Sequence, residues 1–255
     1  MKRSNSGSIQ FYSTLLVLVQ MFFKSLLRDR VFFNLVFVGL FFGLFGFLCS
    51  QLVFGHQDRV MIHIGLFVSF LMTMLIAIYS AHRVLFELIV EKTSYLILTK
   101  PISRGEVWGG IFLSLILFLG LNLFALGSLL ALVVWLIGGE FNFVWFRAYL
   151  LIWVESGWVI AFTMMLSLFF RPALVFMLSG TALLLSHSAA VLENMGFISL
   201  MGKLLPDATH FLSGTRVYYD QAWPLVEWIT HFGYGLGWAL LFILIGYISF
   251  LRKNL

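Results

Sequence analysis

Two side chains capable of acid–base chemistry stand inside long apolar stretches of this sequence. Glu155 lies between Trp153 and Trp158, and His187 directly follows Ser186. A charged side chain at the centre of a membrane-spanning helix costs about 2.5–3.5 kcal/mol on insertion scales, so such residues mark function or specific packing. Glu155 fits a proton or cation relay, a partner for a basic residue in the bundle, or a hydrogen-bonded carboxyl group that locks helix packing. His187 fits a pathway residue or an interhelical hydrogen bond.

Enzymatic chemistry is not indicated by the other reactive residues. The single cysteine, Cys49, excludes an internal disulfide framework and a cysteine-cluster metal site. Membrane hydrolases that bind a metal need paired acids or several histidines on neighbouring helices, and His63, Glu155 and His187 have no such spacing. The sequence lacks the Gly-x-x-x-x-Gly-Lys-Ser/Thr pattern of nucleotide-binding loops. We therefore expect no enzyme activity, no catalytic residue, no metal and no cofactor bound by this chain itself.

The elements that must position these residues are membrane helices. Apolar residues make up 61% of the chain, charged residues 11%, and the mean hydropathy is +1.01. Too few charges are present to cover the surface of a soluble domain of this length. The net charge of +5 does not indicate nucleic-acid binding, because the basic residues stand at the ends of apolar runs, where they orient helices in a lipid bilayer.

Six apolar runs are long enough to cross a bilayer, and we predict an all-α membrane protein with six transmembrane helices. The runs cover residues 31–54, 61–81, 109–137, 145–170, 173–192 and 228–250. The chain then forms a single transmembrane domain over residues 1–255. Its parts are an amphipathic elbow (1–30), spans one and two (31–81), a cytoplasmic loop (82–108), spans three to five (109–192), an outer segment (193–227), and span six with the tail (228–255).

Polar residues in the first thirty positions recur at helical spacing. Gln10, Gln20, Lys24 and Arg28 form one stripe, with apolar residues on the other side. That pattern predicts an amphipathic helix lying in the membrane interface.

The distribution of lysine and arginine predicts the orientation. The loops on one side hold all but four of the sixteen basic residues, and the other side holds Arg59, Arg147, Lys203 and Arg216. Because cytoplasmic loops carry the excess of Lys and Arg, both termini and the 82–108 loop are expected in the cytoplasm. The expected location is the inner (plasma) membrane of the cell.

The 82–108 loop is too short to fold alone and is not a plain polar linker. Val90, Ser94 and Ile97 alternate with charged residues at helical spacing, and Pro101 ends any helix near Lys100. A short amphipathic helix of this kind docks on a partner protein or rests on lipid headgroups. The pattern alone leaves both possibilities open.

Two motifs resemble the permease subunit of type-2 ABC exporters. The first is Arg28-Asp29-Arg30 at the exit of the elbow helix. The second is a loop after span two with the following matching residues: Glu91, Thr93, Leu96, Leu98, Pro101, Ile102, Ser103 and Arg104. The outer segment with Leu205-Pro-Asp207 is also similar to that family. In that family the residue before the threonine is commonly Gly or Arg. Here Lys92 stands at that position, which departs from the family's pattern.

The resemblance implies roles for particular residues. It places the contact with a separate cytoplasmic ATPase, which would bind ATP and Mg, in the coupling loop (Glu87, Glu91, Thr93, Leu96, Pro101, Ser103 and Arg104). It places Lys24, Arg28, Asp29 and Arg30 in the elbow helix. The substrate path would lie between this chain and a second permease subunit, identical or homologous. Residues considered for the path or for intramembrane polar roles are Met72, Thr73, Glu155, Ser186 and His187.

Other functions remain open at this stage. A membrane scaffold or assembly factor that transports nothing would bind a cytoplasmic partner through the same loop. A proton-coupled secondary transporter would use Glu155 as its proton site. Span one carries Gly39, Gly43 and Gly46, whose spacing predicts a helix-packing face and allows self-association.

Overall fold

The computed structural model of the chain describes residues 4–52, 57–89, 102–139, 143–189, 205–211 and 224–253, and it is helical almost throughout these ranges. Seven α-helices and one short 3₁₀ helix, η1, follow one another there. Their bounds are α1 Ser4–Leu27, α2 Arg30–Ser50, α3 Gln57–Ile89, α4 Arg104–Leu136, α5 Phe143–Ser167, α6 Pro172–His187, η1 Ala208–Phe211 and α7 Leu225–Arg252.

Four of these helices are long and apolar enough to cross a membrane: α3, α4, α5 and α7. The apolar parts of α2 and α6 are shorter, and the 16 residues of α6 extend only about 24 Å. The expected all-α membrane class therefore agrees with the structure. The count of six spans stays a prediction, because it requires α2 and α6 to cross the bilayer as well.

Helix α5 lies at the centre of the bundle. It packs against α3, α4, α6 and α7, and η1 also contacts it. Small side chains on α5 allow the close approach of its neighbours, since Ala148, Ser156 and Ala161 are completely buried. A polar group on this helix is thus enclosed by protein rather than exposed to lipid.

Helix α1 buries apolar residues on one side, and its exposed side holds apolar residues such as Leu16 and Val17 as well as polar ones. Leu18, Phe22 and Leu26 are buried, whereas Gln20 and Lys24 are exposed. The buried side packs against α4. The apolar face of α1 therefore contacts protein, and its position at the membrane interface remains a prediction.

Two glycines of α2, Gly39 and Gly46, lie at the contact between α2 and α3. A Cβ atom at Gly39 would meet the Met72 side chain at 3.2 Å, and one at Gly46 would meet Ile64 at 2.6 Å. Both partners belong to α3, so these glycines allow α2 and α3 to approach closely. A Cβ at Gly43 would meet nothing within 4 Å. Self-association through this face stays a prediction.

The helices on either side of the predicted coupling loop differ in extent from the expected spans. Helix α3 continues past residue 81 to Ile89, because His82, Leu85 and Leu88 continue its buried side. Helix α4 begins at Arg104. Glu87 therefore lies in the last turn of α3. The predicted coupling helix, with Glu91, Thr93, Leu96 and Pro101, lies outside the described residues.

Candidate functional site

One end of the bundle, which we call the basic end, collects positively charged residues from several elements. They are Lys24, Arg28 and Arg30 around the α1–α2 turn, Arg83 near the end of α3, Arg104 at the start of α4, Arg171 before α6, and Arg252 and Lys253 at the end of α7. Lys24, Arg28 and Arg30 are exposed. This grouping is what the predicted orientation requires, since the cytoplasmic side of a membrane protein carries the excess of Lys and Arg.

The elbow turn is joined to the end of α3 through Arg83. The Arg83 guanidinium group forms an ion pair with the carboxylate of Asp29, and its Nε donates a hydrogen bond of 2.6 Å to Glu87 Oε1. Asp29 is only 6% exposed, so its charge depends on protein partners. Arg83 thus connects the α1–α2 turn with the last turn of α3, where Glu87 lies.

The start of α4 is joined to the end of α7. Arg104 Nη1 donates hydrogen bonds to the backbone carbonyls of Leu251 at 2.8 Å and Lys253 at 3.0 Å. Lys253 in turn donates to the Leu168 carbonyl just after α5. The basic end thus holds three helix termini together by contacts to backbone carbonyls, which is favourable for cations at helix C-termini.

Ser103 and Glu106 form a capping box at the beginning of α4. The Glu106 backbone N–H donates to Ser103 Oγ at 3.2 Å, and the Ser103 backbone N–H donates to Glu106 Oε2 at 2.6 Å. The pattern defines where α4 begins, immediately after the predicted coupling loop.

Replacing Ser103 by alanine should lower the free energy of unfolding by about 1 kcal/mol, because the backbone N–H of Glu106 loses its acceptor. Thermal unfolding of the detergent-solubilised protein measures this change. Ser128→Ala is the control, since Ser128 lies exposed in the interior of the same helix and bonds only a local carbonyl. Equal effects of the two substitutions would contradict a capping role.

A second group of polar residues surrounds Glu155 in the centre of the bundle. Glu155 is 1% exposed, and its Oε1 lies 3.5 Å from His187 Nε2 on α6. The other ring nitrogen, Nδ1, lies 3.3 Å from the Leu183 carbonyl oxygen, and the Phe70 ring of α3 packs 5.1 Å from the imidazole.

Helices α5 and α6 pack in an antiparallel register that explains the pair. Thr163 Oγ1 donates to Ser179 Oγ at 3.1 Å, two turns away from the contact between Glu155 and His187. Ser186 directly precedes His187 on α6. Ser186 Oγ and Glu155 Oε1 are buried and have no hydrogen-bond partner within the described ranges. Such atoms are rare in proteins and indicate a site for water or another polar group.

The end of the bundle away from the basic residues adds a further polar cluster. The Asp207 backbone N–H donates to Tyr234 Oη at 2.8 Å, and Asp207 Oδ1 accepts two hydrogen bonds from Thr209. His210 Nε2 lies 3.8 Å from Asp207 Oδ2, and its ring lies 5.1 Å from that of His231. The short helix η1 of this cluster packs against α6, the helix that carries His187.

The remaining predicted pathway residues are not gathered in one place. Met72 packs at the contact between α2 and α3, and Thr73 is buried with its hydroxyl donating to the Ser69 carbonyl at 2.6 Å. Ser186 and His187 lie with Glu155. Among the described residues, no group of three His, Cys, Asp or Glu side chains is arranged to hold a metal ion.

Several residues of these networks were not identified from the sequence. Two had a visible local signal: Glu106 stands three residues after Ser103, and Arg83 stands four before Glu87. Lys253, His231 and Tyr234 had none, because their partners are distant in the chain. A scan against models of known protein families and a search of curated proteins found no match to this chain.

Proposed function

We propose that this chain is the membrane-spanning permease subunit of an ABC exporter of the type-2 kind. In this proposal the chain crosses the inner (plasma) membrane six times, with both termini in the cytoplasm. The substrate path forms between it and a second permease subunit, identical or homologous. A separate cytoplasmic ATPase, which binds ATP and Mg, drives the cycle.

The main support is the arrangement at the basic end. The segment that carries the motif with Glu91 and Pro101 stands in the sequence between Glu87, in the last turn of α3, and Ser103, at the start of α4. Glu87 is bonded to Arg83, which pairs with Asp29 of the elbow turn. Beyond Ser103, Arg104 is bonded to the end of α7. A partner that binds the segment would therefore act on α1, α2, α3, α4 and α7 together.

The long helices suit the transmission of a movement across the membrane. Helix α3 has 33 residues, which corresponds to about 50 Å of continuous helix. It packs against α2, α4, α5 and α6. A displacement of its last turn by an ATPase would shift the packing of α5 and α6 as well, because tightly packed helices move as rigid bodies.

The test is co-purification of the tagged chain from its native membranes in mild detergent, with ATPase activity measured on the eluate. We expect an ATPase to accompany the wild type and to be reduced at least tenfold with Glu91→Ala/Arg104→Ala. The control is Arg59→Ala, at the other end of α3. The single variant Glu91→Ala is included because Arg104 also holds the end of α7.

Two results would overturn the proposal. One is that no ATPase accompanies the wild-type chain from its native membranes. The other is that the double variant retains the same ATPase activity as Arg59→Ala. A different cytoplasmic protein in the eluate, lost in the double variant, would favour the scaffold function instead.

A further inference from the structure

The fold separates the charges of the run Arg28-Asp29-Arg30. Asp29 is only 6% exposed and pairs with Arg83 of α3. Arg28 and Arg30, its two neighbours in the chain, are both exposed. The negative charge in the middle of the run is therefore balanced from inside the protein by Arg83. As a result, the α1–α2 turn exposes two guanidinium groups without an exposed carboxylate between them.

Lys24 extends this group of cations along α1. The Arg28 backbone N–H donates to the Ser25 carbonyl at 3.2 Å, so the last turn of α1 continues past Leu27. Lys24 and Arg28 are four positions apart, which corresponds to about 6 Å along the helix axis and to nearly the same side of the helix. Arg30 is two residues further, so its Cα atom is at most about 7 Å from that of Arg28. We call Lys24, Arg28 and Arg30 the turn cluster.

Carboxylates at the basic end do not neutralise the turn cluster, within the ranges that the structure describes. Asp29 and Glu87 both contact Arg83. Glu106 accepts from the Ser103 backbone N–H. The turn cluster itself has no ion pair with any described residue. Three cations this close repel one another, and an anion that contacts all three relieves the repulsion. Charge complementarity therefore favours an anionic partner from outside the chain.

The exposed side chains beside the turn cluster are apolar on both helices. On α1, Val17 and Met21 are 64% and 43% exposed, and they lie about two turns and one turn before Lys24 on nearly the same side. On α2, Phe37 is 71% exposed and lies about two turns after Arg30. Water-soluble anions would leave these apolar surfaces uncovered. A phospholipid combines an anionic headgroup with apolar chains that cover them.

We propose that the α1–α2 turn is a binding site for an anionic phospholipid. Lys24, Arg28 and Arg30 hold its phosphate group, because guanidinium groups bind phosphate oxygens in pairs and the lysine adds a compact charge. The acyl chains lie against Val17 and Met21. A lipid such as phosphatidylglycerol, with a net negative charge, fits this site better than phosphatidylcholine, whose choline cation is repelled by the turn cluster.

The lipid site goes beyond the proposed permease function and does not require an ATPase. A bound headgroup would hold the α1–α2 turn at the membrane surface. The pair between Asp29 and Arg83 joins that turn to α3, so the lipid would also fix the position of the elbow relative to the bundle.

The experiment uses the full-length chain, purified in detergent, freed of lipid and without any ATPase. Native mass spectrometry measures the dissociation constant, Kd, of the first bound phosphatidylglycerol and, separately, of the first bound phosphatidylcholine. Each Lys or Arg near an anionic lipid contributes about fivefold in affinity. We expect the wild type to bind phosphatidylglycerol at least tenfold more tightly than phosphatidylcholine. We expect Lys24→Gln/Arg28→Gln to raise the Kd for phosphatidylglycerol at least fivefold and to leave that for phosphatidylcholine unchanged.

Two control variants separate the turn cluster from the general charge of the basic end. Arg171→Gln/Arg252→Gln removes two other exposed cations, one before α6 and one at the end of α7. It should change the Kd for phosphatidylglycerol less than twofold. Lys24→Arg/Arg28→Lys keeps both charges and should bind phosphatidylglycerol as the wild type does.

Glycerol phosphate, which has the phosphate without acyl chains, distinguishes a lipid site from a site for free phosphate. A hundredfold excess of it over phosphatidylglycerol should displace only a small part of the bound lipid. Val17→Ser/Met21→Ser should raise the Kd for phosphatidylglycerol at least threefold, because apolar contacts with the chains are lost.

Three results overturn the inference. Lys24→Gln/Arg28→Gln could bind phosphatidylglycerol as tightly as Arg171→Gln/Arg252→Gln does. Lys24→Arg/Arg28→Lys could lose as much affinity as Lys24→Gln/Arg28→Gln. Glycerol phosphate could displace the lipid as effectively as phosphatidylglycerol itself, which would show a site for free phosphate.

A fourth contrary result would identify a protein partner instead of a lipid. In that case the wild type shows no preference for phosphatidylglycerol, and Lys24→Gln/Arg28→Gln loses the ATPase in the co-purification assay. Thermal unfolding of each variant checks that it remains folded. Because the lipid-binding sample contains no ATPase, failure of the lipid experiment alone does not bear on the proposed permease function.

Discussion

Trp108→Ala is expected to lower the free energy of unfolding by about 3–5 kcal/mol, the largest effect of any single substitution considered for this chain. Trp108 belongs to α4, is 2% exposed and packs against α7. Its Nε1 donates to the Ile243 carbonyl at 3.2 Å, and its ring lies 5.3 Å from that of Phe250. Alanine would remove these contacts and leave a cavity at the junction of the two helices.

The contact between α4 and α7 at this point is unusually close. A Cβ atom at Gly246 would come within 2.6 Å of Trp108 Cζ2, so the indole ring fills the space that a larger residue of α7 would occupy. Little room remains for the neighbours to rearrange. The decrease in the free energy of unfolding is therefore expected in the upper part of the 3–5 kcal/mol range, since a cavity that cannot collapse lowers stability most (about 5 kcal/mol at the extreme).

Thermal and denaturant unfolding of the detergent-solubilised protein measures the effect. Trp135→Ala is a matched control, because Trp135 lies on the same helix and is 72% exposed. Its removal should change the stability by less than about 1 kcal/mol. Similar losses for both tryptophans would show that α4 and α7 are not joined through Trp108.

Arg83→Ala is expected to lower the free energy of unfolding by about 2–3 kcal/mol, because it removes the cation that pairs with buried Asp29. Asp29→Asn should cost less, since the neutral amide can remain buried more easily than an unpaired carboxylate. The double variant should then be more stable than the sum of the two single effects predicts.

The double-mutant cycle measures the coupling between the two side chains. Arg30→Ala is the control, since Arg30 follows Asp29 directly and is exposed. Its loss should change stability by less than about 0.5 kcal/mol. Additive effects of Arg83→Ala and Asp29→Asn would contradict a direct pair and would also remove the proposed link between α3 and the elbow turn.

Helix α3 connects the two polar regions of the molecule. Phe70 contacts His187 beside Glu155, and Arg83 lies in the basic-end network. They are thirteen positions apart, which corresponds to about 20 Å of uninterrupted helix. A change of packing at His187 and a force at the basic end therefore act on the same rigid element.

The sequence by itself determined the features that depend on local pattern. Composition and apolar runs identify an all-helical membrane chain. The 3.6-residue period of Leu18, Phe22 and Leu26 identifies the buried side of α1. The gathering of Lys and Arg at one end follows from their positions relative to the apolar runs. The local pattern also contained the start of α4, since Ser103 and Glu106 have the spacing of a capping box.

Only the tertiary structure decided which distant residues meet. Glu155 and His187 are thirty-two positions apart, and no pattern in either helix specifies the register in which α5 and α6 pack. Asp29 and Arg83 are likewise joined by a contact between separate helices. Hydrophobic periodicity states which side of a helix is buried but not which partner covers it. Close packing of whole helix surfaces sets the partner and the register, and so it places Glu155 beside His187.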